Sequence, residues 1–410
     1  MKTTQQLGIA ALTIAVARSD GGACALGQEQ PSCGGTLRAP QVVLPEGPVE
    51  LTMHRFEGLP TVEVLINGEG PMRFVLDTGA AGVLLRKDRA KAMKLPGAPG
   101  LPDGSAQALV QSPDGKAIPA SLVLVKQMQL GGVELQEVRA LAIELPYGES
   151  LDGIIGMDVF GDFLLTYDYP AARVRLSRGE LPEPNGRDIL EYTTPIMPHS
   201  HPAVAVQLGA DTLDCIIDTG SRAWFLVAPK LADRLKFRHG PLPGTKAMPA
   251  SGELVPTKVG RLDATLRLGR YTVPQPIVGI VDACGEMIVG TSFLLQFTVT
   301  FDGRNKRVRF ARETDTPITV PPWRTAGFFL KRADRGMEVV DVHPSSHAAE
   351  LGLTAGDVIL TINGTAAEDL YGSTQWLDLV QQADTLELRY RRRDQDQPET
   401  KPIRVLELIP

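Results

Sequence analysis

Short apolar stretches separated by turn residues dominate the first three quarters of the chain. They alternate apolar with polar positions or are rich in β-branched residues, and Gly, Pro and Asp lie between them, which is typical of β-strands. Short helices are predicted at residues 86–94 and 229–236. The predicted strands of this region are 60–67, 72–77, 121–130, 203–209, 213–218 and 258–269.

Length and composition agree with a β-rich protein of several domains. The chain has 410 residues, of which 43% are hydrophobic and 22% charged, with 41 Gly and 32 Pro. Such a length predicts two to four domains. The formal net charge of −6 provides no basic surface for nucleic acid, so no nucleic-acid partner is expected.

The amino terminus predicts an extracytoplasmic protein. Residues 7–17 form a short apolar stretch that ends in small residues, so residues 1–17 are predicted to be a signal peptide, with a linker or propeptide over 18–45. We expect a periplasmic or secreted protein with no transmembrane span in the mature chain. Lipid attachment at Cys24 is the less favoured alternative. Two cysteine pairs are open possibilities: Cys24 could form a disulfide with Cys33, and Cys215 could lie near Cys284. Buried free thiols are the alternative.

A domain-sized unit occurs twice. The tripeptide Asp-Thr-Gly stands at residues 77–79 and again at 218–220. An apolar-apolar-Gly segment follows each copy, at 154–156 and 288–290, and the turn sequences 114–119 and 251–256 also correspond. One such tripeptide is an ordinary turn sequence, but shared features in the same order indicate a duplication.

This ordered set resembles the pepsin and retropepsin superfamily of aspartic proteases, in the form where one chain encodes both lobes. The resemblance covers residues 46–312 and implies a mainly β protein with two pseudo-symmetric retropepsin-like barrel lobes. The predicted boundaries are 46–184 for the first lobe and 185–312 for the second, followed by a linker at 313–320 and a small α+β domain at 321–410.

The resemblance implies that Asp77 and Asp218 form one catalytic pair. Thr78 and Thr219 would hydrogen-bond across the lobe interface. The glycines that follow them, Gly79 and Gly220, would let backbone amides approach the carboxylates.

The two copies differ at the next position, where the first has Ala80 and the second Ser221. A hydrogen bond from the Ser221 hydroxyl to Asp218 would make Asp218 the more acidic partner.

Each unit also implies a flap over the substrate, with turns at Gly115 and Gly252. The first flap contains no tyrosine, unlike that of many two-lobed relatives. His199 and His201 have the spacing of a metal-binding pair, but their Pro-rich connector favours solvated side chains, and no metal or cofactor is expected. Asp168 and Asp302, at the ends of corresponding strands, are interpreted as structural.

The last ninety residues resemble a PDZ domain. The run from 339 to 364 contains a strand, a short helix with Ala348 and Ala349, a second strand and an Asn-Gly turn. The family's carboxylate-binding loop and peptide-accepting strand correspond to a short segment whose predicted ligand-binding residues are Ala326, Gly327, Phe328 and Phe329. Residues 373–383 would form the helix on the other side of the groove. Such domains add a peptide as a strand at the sheet edge, and a packing or dimerisation role is the alternative.

The sequence therefore predicts an aspartic endopeptidase that acts on a peptide or protein substrate. Two close carboxyl groups that share one proton supply both the base and the acid that peptide hydrolysis needs. The PDZ domain would capture substrate, bind a C-terminal peptide or regulate access. The rival hypothesis is a non-catalytic peptide-binding or scaffold protein that keeps the protease fold.

Overall fold

The structure is a computed structural model that describes residues 40–98, 107–112, 114–147, 150–194, 201–282, 287–371 and 373–410. The leader, Cys24, Cys33, His199 and Cys284 lie outside these residues. Within the described ranges, no helix has the length and apolar character needed to cross a membrane.

The first lobe contains the first copy of the duplicated unit. Its elements are β1 (Gln41–Val43), β2 (Val49–Thr52), β3 (His54–Phe56), β4 (Leu59–Ile66), β5 (Glu69–Asp77), β6 (Val83–Arg86), α1 (Lys87–Ala92), β7 (Gln107–Gln111), β8 (Ala117–Leu130), β9 (Val133–Ile143), β10 (Gly153–Gly156), a 3₁₀ turn (Met157–Phe160), β11 (Leu164–Asp168) and β12 (Arg173–Ser177). In the described part of this lobe, a large sheet has the order β1-β9-β6-β10-β5-β4-β8-β7, with β3 paired to β4.

The second lobe contains the second copy. Its elements are β13 (Ile189–Glu191), β14 (Ala203–Leu208), β15 (Asp211–Ile217), β16 (Phe225–Val227), α2 (Pro229–Ala232), β17 (Phe237–Pro243), β18 (Lys258–Leu262), β19 (Thr265–Leu268), β20 (Tyr271–Pro274), β21 (Ile277–Ile280), β22 (Met287–Val289), α3 (Thr291–Leu294), β23 (Thr298–Asp302) and β24 (Arg307–Ala311). Its sheet has the order β17-β18-β21-β16-β22-β15-β14-β19-β20 among the residues described.

A third sheet joins the two lobes, in the order β13-β24-β23-β11-β12-β2. At its centre β11 pairs antiparallel with β23, so that Thr166 lies opposite Thr300. Their hydroxyl oxygens are 3.0 Å apart. Because these threonines occupy equivalent positions in the two repeats, the pseudo-twofold axis of the duplication passes between them.

The carboxy-terminal domain is a small α+β unit with a core of its own. Its elements are β25 (Trp323–Thr325), β26 (Phe328–Arg332), β27 (Met337–Val342), α4 (His347–Glu350), β28 (Val358–Ile362), β29 (Thr365–Ala366), α5 (Ala367–Leu370), α6 (Thr374–Gln382), β30 (Thr385–Arg391), β31 (Glu399–Arg404) and β32 (Leu406–Ile409). Ser346 and Ser373 cap α4 and α6 by accepting hydrogen bonds from backbone amides. The expected fold class, mainly β with two repeated lobes and a C-terminal α+β domain, is confirmed.

One predicted strand is divided in the structure. Residues 258–269 form β18 and β19 with a break at residues 263–264. The break occurs because the halves have different neighbours: β18 pairs with β17 and β21, whereas β19 pairs with β14 and β20. In the first lobe, the corresponding residues form the continuous long strand β8. The hydrophobic periodicity of a sequence indicates which side chains of a strand are buried. It does not indicate which strands pair with each other, so it could not predict this break.

Candidate active site

Each aspartate of the repeated tripeptide lies at the end of a central strand. β5 runs parallel to β10, with Asp77 opposite Gly156. β15 runs parallel to β22, and the backbone amide of Asp218 donates to the carbonyl oxygen of Val289 at 2.9 Å. The apolar-apolar-Gly segments of the duplication are therefore the strands that support the two aspartate loops.

The glycines bring the two loops into contact. Gly79 N donates to Asp77 Oδ1 at 2.7 Å, and Gly220 N donates to Asp218 Oδ1 at 2.8 Å. A Cβ atom built on Gly79 would lie 2.6 Å from Asp218 Oδ1, and one on Gly220 would lie 2.3 Å from Asp77 Oδ2. Each glycine is thus packed against the carboxyl group of the other lobe, and the two carboxyl groups lie side by side.

Two threonines cross-link the loops. Thr78 N donates to Thr219 Oγ1 at 2.9 Å, and Thr219 N donates to Thr78 Oγ1 at 3.0 Å. Each hydroxyl then donates across the interface, Thr78 Oγ1 to Ile217 O at 2.6 Å and Thr219 Oγ1 to Leu76 O at 2.7 Å. Both threonines are fully buried. The reciprocal hydrogen bonds fix the position of one aspartate relative to the other.

Burial sets the ionisation of the pair. Asp77 and Asp218 are 1% and 0% exposed. Burial raises the pKa of Asp77 to about 6, against the opposing effect of hydrogen bonds with Gly79, Asp218 and Gly220. The site therefore favours a pair that retains a proton well above the ordinary pKa of aspartate.

The hydrogen bond expected from Ser221 to Asp218 is not formed. Ser221 Oγ is buried, and no described residue lies within hydrogen-bonding distance of it. This hydroxyl lies towards Gly290, where a Cβ would be 3.0 Å from it. The expected cause of a difference between the two aspartates is therefore absent.

The two flap turns contact each other. Gly115 and Gly252 have φ angles of +80° and +79°, which favour glycine. Ser251 Oγ donates to Asp114 Oδ2 at 2.6 Å, and Ser251 N donates to Ser112 Oγ at 3.2 Å. An ion pair between Lys116 and Glu253 adds a third contact. The two flap tips are therefore in contact with each other in this structure.

The predicted ligand-binding residues of the carboxy-terminal domain do not share one environment. Ala326 and Phe328 belong to the core of that domain. Phe329 instead belongs to the buried cluster that lies around the aspartate loops and flaps. Gly327 has a φ of +85°, and its amide donates to Thr325 Oγ1 at 3.0 Å. This amide is engaged in the domain's own loop.

Comparison with protein families gives two matches. The aspartyl protease family matches residues 62–159 and 204–293, and the PDZ domain family matches residues 325–400. The chain has two aspartyl protease lobes and a PDZ domain. The matched protease segments each contain one aspartate of the pair. No curated protein matches the chain.

Several residues of the protease lobes escaped sequence reasoning. His201 was expected to be solvated, yet it is buried, and burial lowers its pKa while a hydrogen bond with the Thr78 backbone opposes this. Tyr147, in the loop between β9 and β10, is 2% exposed, and its hydroxyl has no hydrogen-bond partner among the described residues. Burial raises its pKa, and the Asp77 and Asp218 carboxyls contribute further.

A buried ion pair next to the second aspartate loop was also missed. Arg222 directly follows Ser221 and pairs with Glu57, and both side chains are about 5% exposed. The only sequence signal was a charged residue beside an otherwise apolar motif. Among the described residues, no group of three or more His, Cys, Asp or Glu side chains is arranged to hold a metal ion.

Proposed function

We propose that this protein is an aspartic endopeptidase that hydrolyses peptide bonds with a water molecule activated by Asp77 and Asp218. The observation that carries the proposal is the contact of each loop glycine with the carboxyl group of the other lobe. Two carboxyls held this closely in a buried site share a proton, because ionising both is unfavourable.

The proposed chemistry needs one ionised and one protonated carboxyl. Burial raises the pKa of Asp77 and so keeps one proton on the pair. Because the two carboxyls titrate jointly, this proton is shared, and we propose the form with Asp77 protonated and Asp218 as the base. Asp218 accepts a proton from the water molecule as the water oxygen attacks the peptide carbonyl carbon, and Asp77 gives its proton to the carbonyl oxygen. The tetrahedral intermediate then collapses: the carbon–nitrogen bond breaks, Asp218 gives its proton to the leaving nitrogen, and one hydroxyl of the intermediate returns a proton to Asp77.

The flaps would admit and then cover the substrate. Their tips are held by two hydrogen bonds and one exposed ion pair, and exposed ion pairs contribute little stability. Opening has to break these tip contacts. The PDZ domain would bind a peptide, either as substrate or as a regulator. An extracytoplasmic location stays a prediction that depends on the apolar leader.

The alternative is a peptide-binding protein without turnover, and the PDZ match is the observation that favours it, because PDZ domains bind peptides without hydrolysing them. Incubating the full chain with a diverse peptide pool and identifying products by mass spectrometry separates the two. We expect cleavage that Asp77→Asn and Asp218→Asn each abolish. Products that persist in either variant, or peptide binding without products in the unmodified protein, would contradict the proposed endopeptidase.

A further inference from the structure

Part of the first protease lobe lies against the PDZ groove. The groove lies between β26 and α6, with a lining that includes Leu330, Ile362, Leu370 and Trp376. Glu57, from the turn between β3 and β4 of the first lobe, also lines it. A residue of the protease thus lies where a PDZ domain accepts a peptide.

The turn that carries Glu57 packs closely against the PDZ domain. The Phe56 ring meets the Tyr371 ring edge-on at a centroid distance of 5.9 Å. A Cβ on Gly58 would lie 3.9 Å from a methyl carbon of Leu377 on α6. The turn has positive φ angles at Glu57 and Gly58, so its shape is a tight hairpin whose tip points to the groove.

The Glu57 carboxylate joins all three domains. Its partner Arg222 belongs to the second lobe, next to the Asp218 loop, and the Arg222 carbonyl accepts a hydrogen bond from Ser292 Oγ at 2.6 Å. Tyr371 of the PDZ domain lies close enough to Arg222 to affect the pKa of both groups. Breaking a buried pair of this kind by removing one partner is strongly unfavourable.

A second connection links the PDZ domain to the base of the second flap. Lys246 Nζ lies 2.7 Å from Asp341 Oδ1, and His343 Nε2 lies 3.1 Å from Pro243 O. Pro243 and Lys246 both precede the second flap turn in the chain. A PDZ domain that moves away from the lobes therefore breaks its contacts with this flap.

We propose that the β3–β4 turn occupies the PDZ groove as an internal ligand, and that a peptide carboxylate which displaces Glu57 from Arg222 releases the PDZ domain from the second flap. The occupant that competes is an extended peptide with a carboxylate group and an adjacent apolar side chain for the pocket beside Trp376. The groove accepts that peptide only after the turn leaves, since both need the same space. By linkage, peptide binding and cleft opening then favour each other.

Binding is tested in full-length Asp77→Asn protein, which keeps the probe intact. The probes are a fluorescein-labelled peptide with a free apolar C-terminus, its C-terminal amide, and the amide with one internal Glu. We expect Glu57→Gln, added to this background, to bind the free-acid peptide at least tenfold more tightly by fluorescence anisotropy. The internal-Glu probe shows whether a side-chain carboxylate serves as well as a terminal one.

Two further variants make the result specific. Glu57→Gln combined with Arg222→Gln removes both the internal carboxylate and the guanidinium that a peptide carboxylate would bind, so the free-acid peptide and the amide should bind with equal affinity. The double variant also leaves no buried Arg222 without a partner. The matched control is Glu350→Gln, which removes an ion pair with Arg404 between residues that do not line the groove and should leave affinity unchanged. Equal affinity in the presence and absence of Glu57, or binding of no probe to any variant, would overturn the proposal.

The regulatory part depends on the proposed protease function. In the protein with both aspartates intact, a saturating free-acid peptide should raise kcat/KM for a fluorogenic substrate at least threefold. Because affinity is measured in an inactive variant, the two ideas fail separately. Tighter binding without any hydrolysis would contradict the protease, whereas hydrolysis with unchanged peptide affinity would contradict the internal ligand.

Discussion

The threonine cross-link between the aspartate loops leads to a sharp stability prediction. Replacing Thr78 with Val keeps the shape of the side chain and removes its hydroxyl. The amide of Thr219 then loses its acceptor, and the carbonyl of Ile217 loses its donor. Both groups are fully buried. An unsatisfied buried polar group costs about 1–3 kcal/mol, so Thr78→Val should lower the free energy of unfolding by about 2–6 kcal/mol.

The assay is equilibrium unfolding in urea, followed by tryptophan fluorescence, with peptide cleavage measured in parallel. Thr78→Ser retains the hydroxyl and should lose only about 1 kcal/mol for the missing methyl group. Thr300→Val is the matched control, because it breaks a cross-lobe contact between two hydroxyls without leaving a buried backbone group unpaired. Its expected cost is about 1 kcal/mol. A Thr78→Val cost no larger than that of Thr300→Val would refute the reasoning.

Three further predictions concern the carboxyl pair. Burial raises the pKa of Asp77 from 3.8 to about 6, so its ionisation lowers the free energy of unfolding as pH rises through this interval, by about 3 kcal/mol at most. Asp77→Asn does not titrate, and its melting temperature should therefore rise relative to that of the unmodified protein between pH 4 and 7. A difference in melting temperature that stays constant with pH would be contrary evidence. Gly220→Ala places a methyl group 2.3 Å from Asp77 Oδ2 and should reduce kcat/KM at least a hundredfold while PDZ peptide binding in the same variant is retained. Ser221→Ala should leave the acidic limb of the pH–rate profile in place, because Ser221 Oγ makes no hydrogen bond in the described structure; a displaced limb would show that the hydroxyl turns towards Asp218 during catalysis.

The aspartate pair was predictable because the evidence for it is local and repeated. Asp77 and Asp218 each follow an apolar strand, and the duplication supplies the reason to bring them together. The threonine cross-link follows from the same two tripeptides. The resemblance could predict the positions of these residues because a short motif defines the local backbone geometry that places them.

The remaining features depend on side chains that meet only in the folded chain. The pairing of Glu57 with Arg222 joins a hairpin tip to a loop of the other lobe, and no periodicity marks either residue. The predicted hydrogen bond from Ser221 to Asp218 was wrong: the Ser221 hydroxyl has no hydrogen-bond partner among the described residues and lies beside Gly290, which follows β22 and has no side chain to exclude it. His201 illustrates the same limit, since it is buried and hydrogen-bonds with the backbone of Thr78 in the other lobe.

The central claim is that two lobes supply two aspartates to one catalytic unit, and the kinetics of single and double variants test it most directly. Asp77→Asn and Asp218→Asn should each lower kcat/KM by at least about a thousandfold, consistent with loss of an acid–base pair. The double variant should then be no slower than the slower single variant, because residues that act as one unit are not additive. Retention of substantial cleavage in either single variant, or a double variant whose loss equals the product of the two, would contradict the shared site.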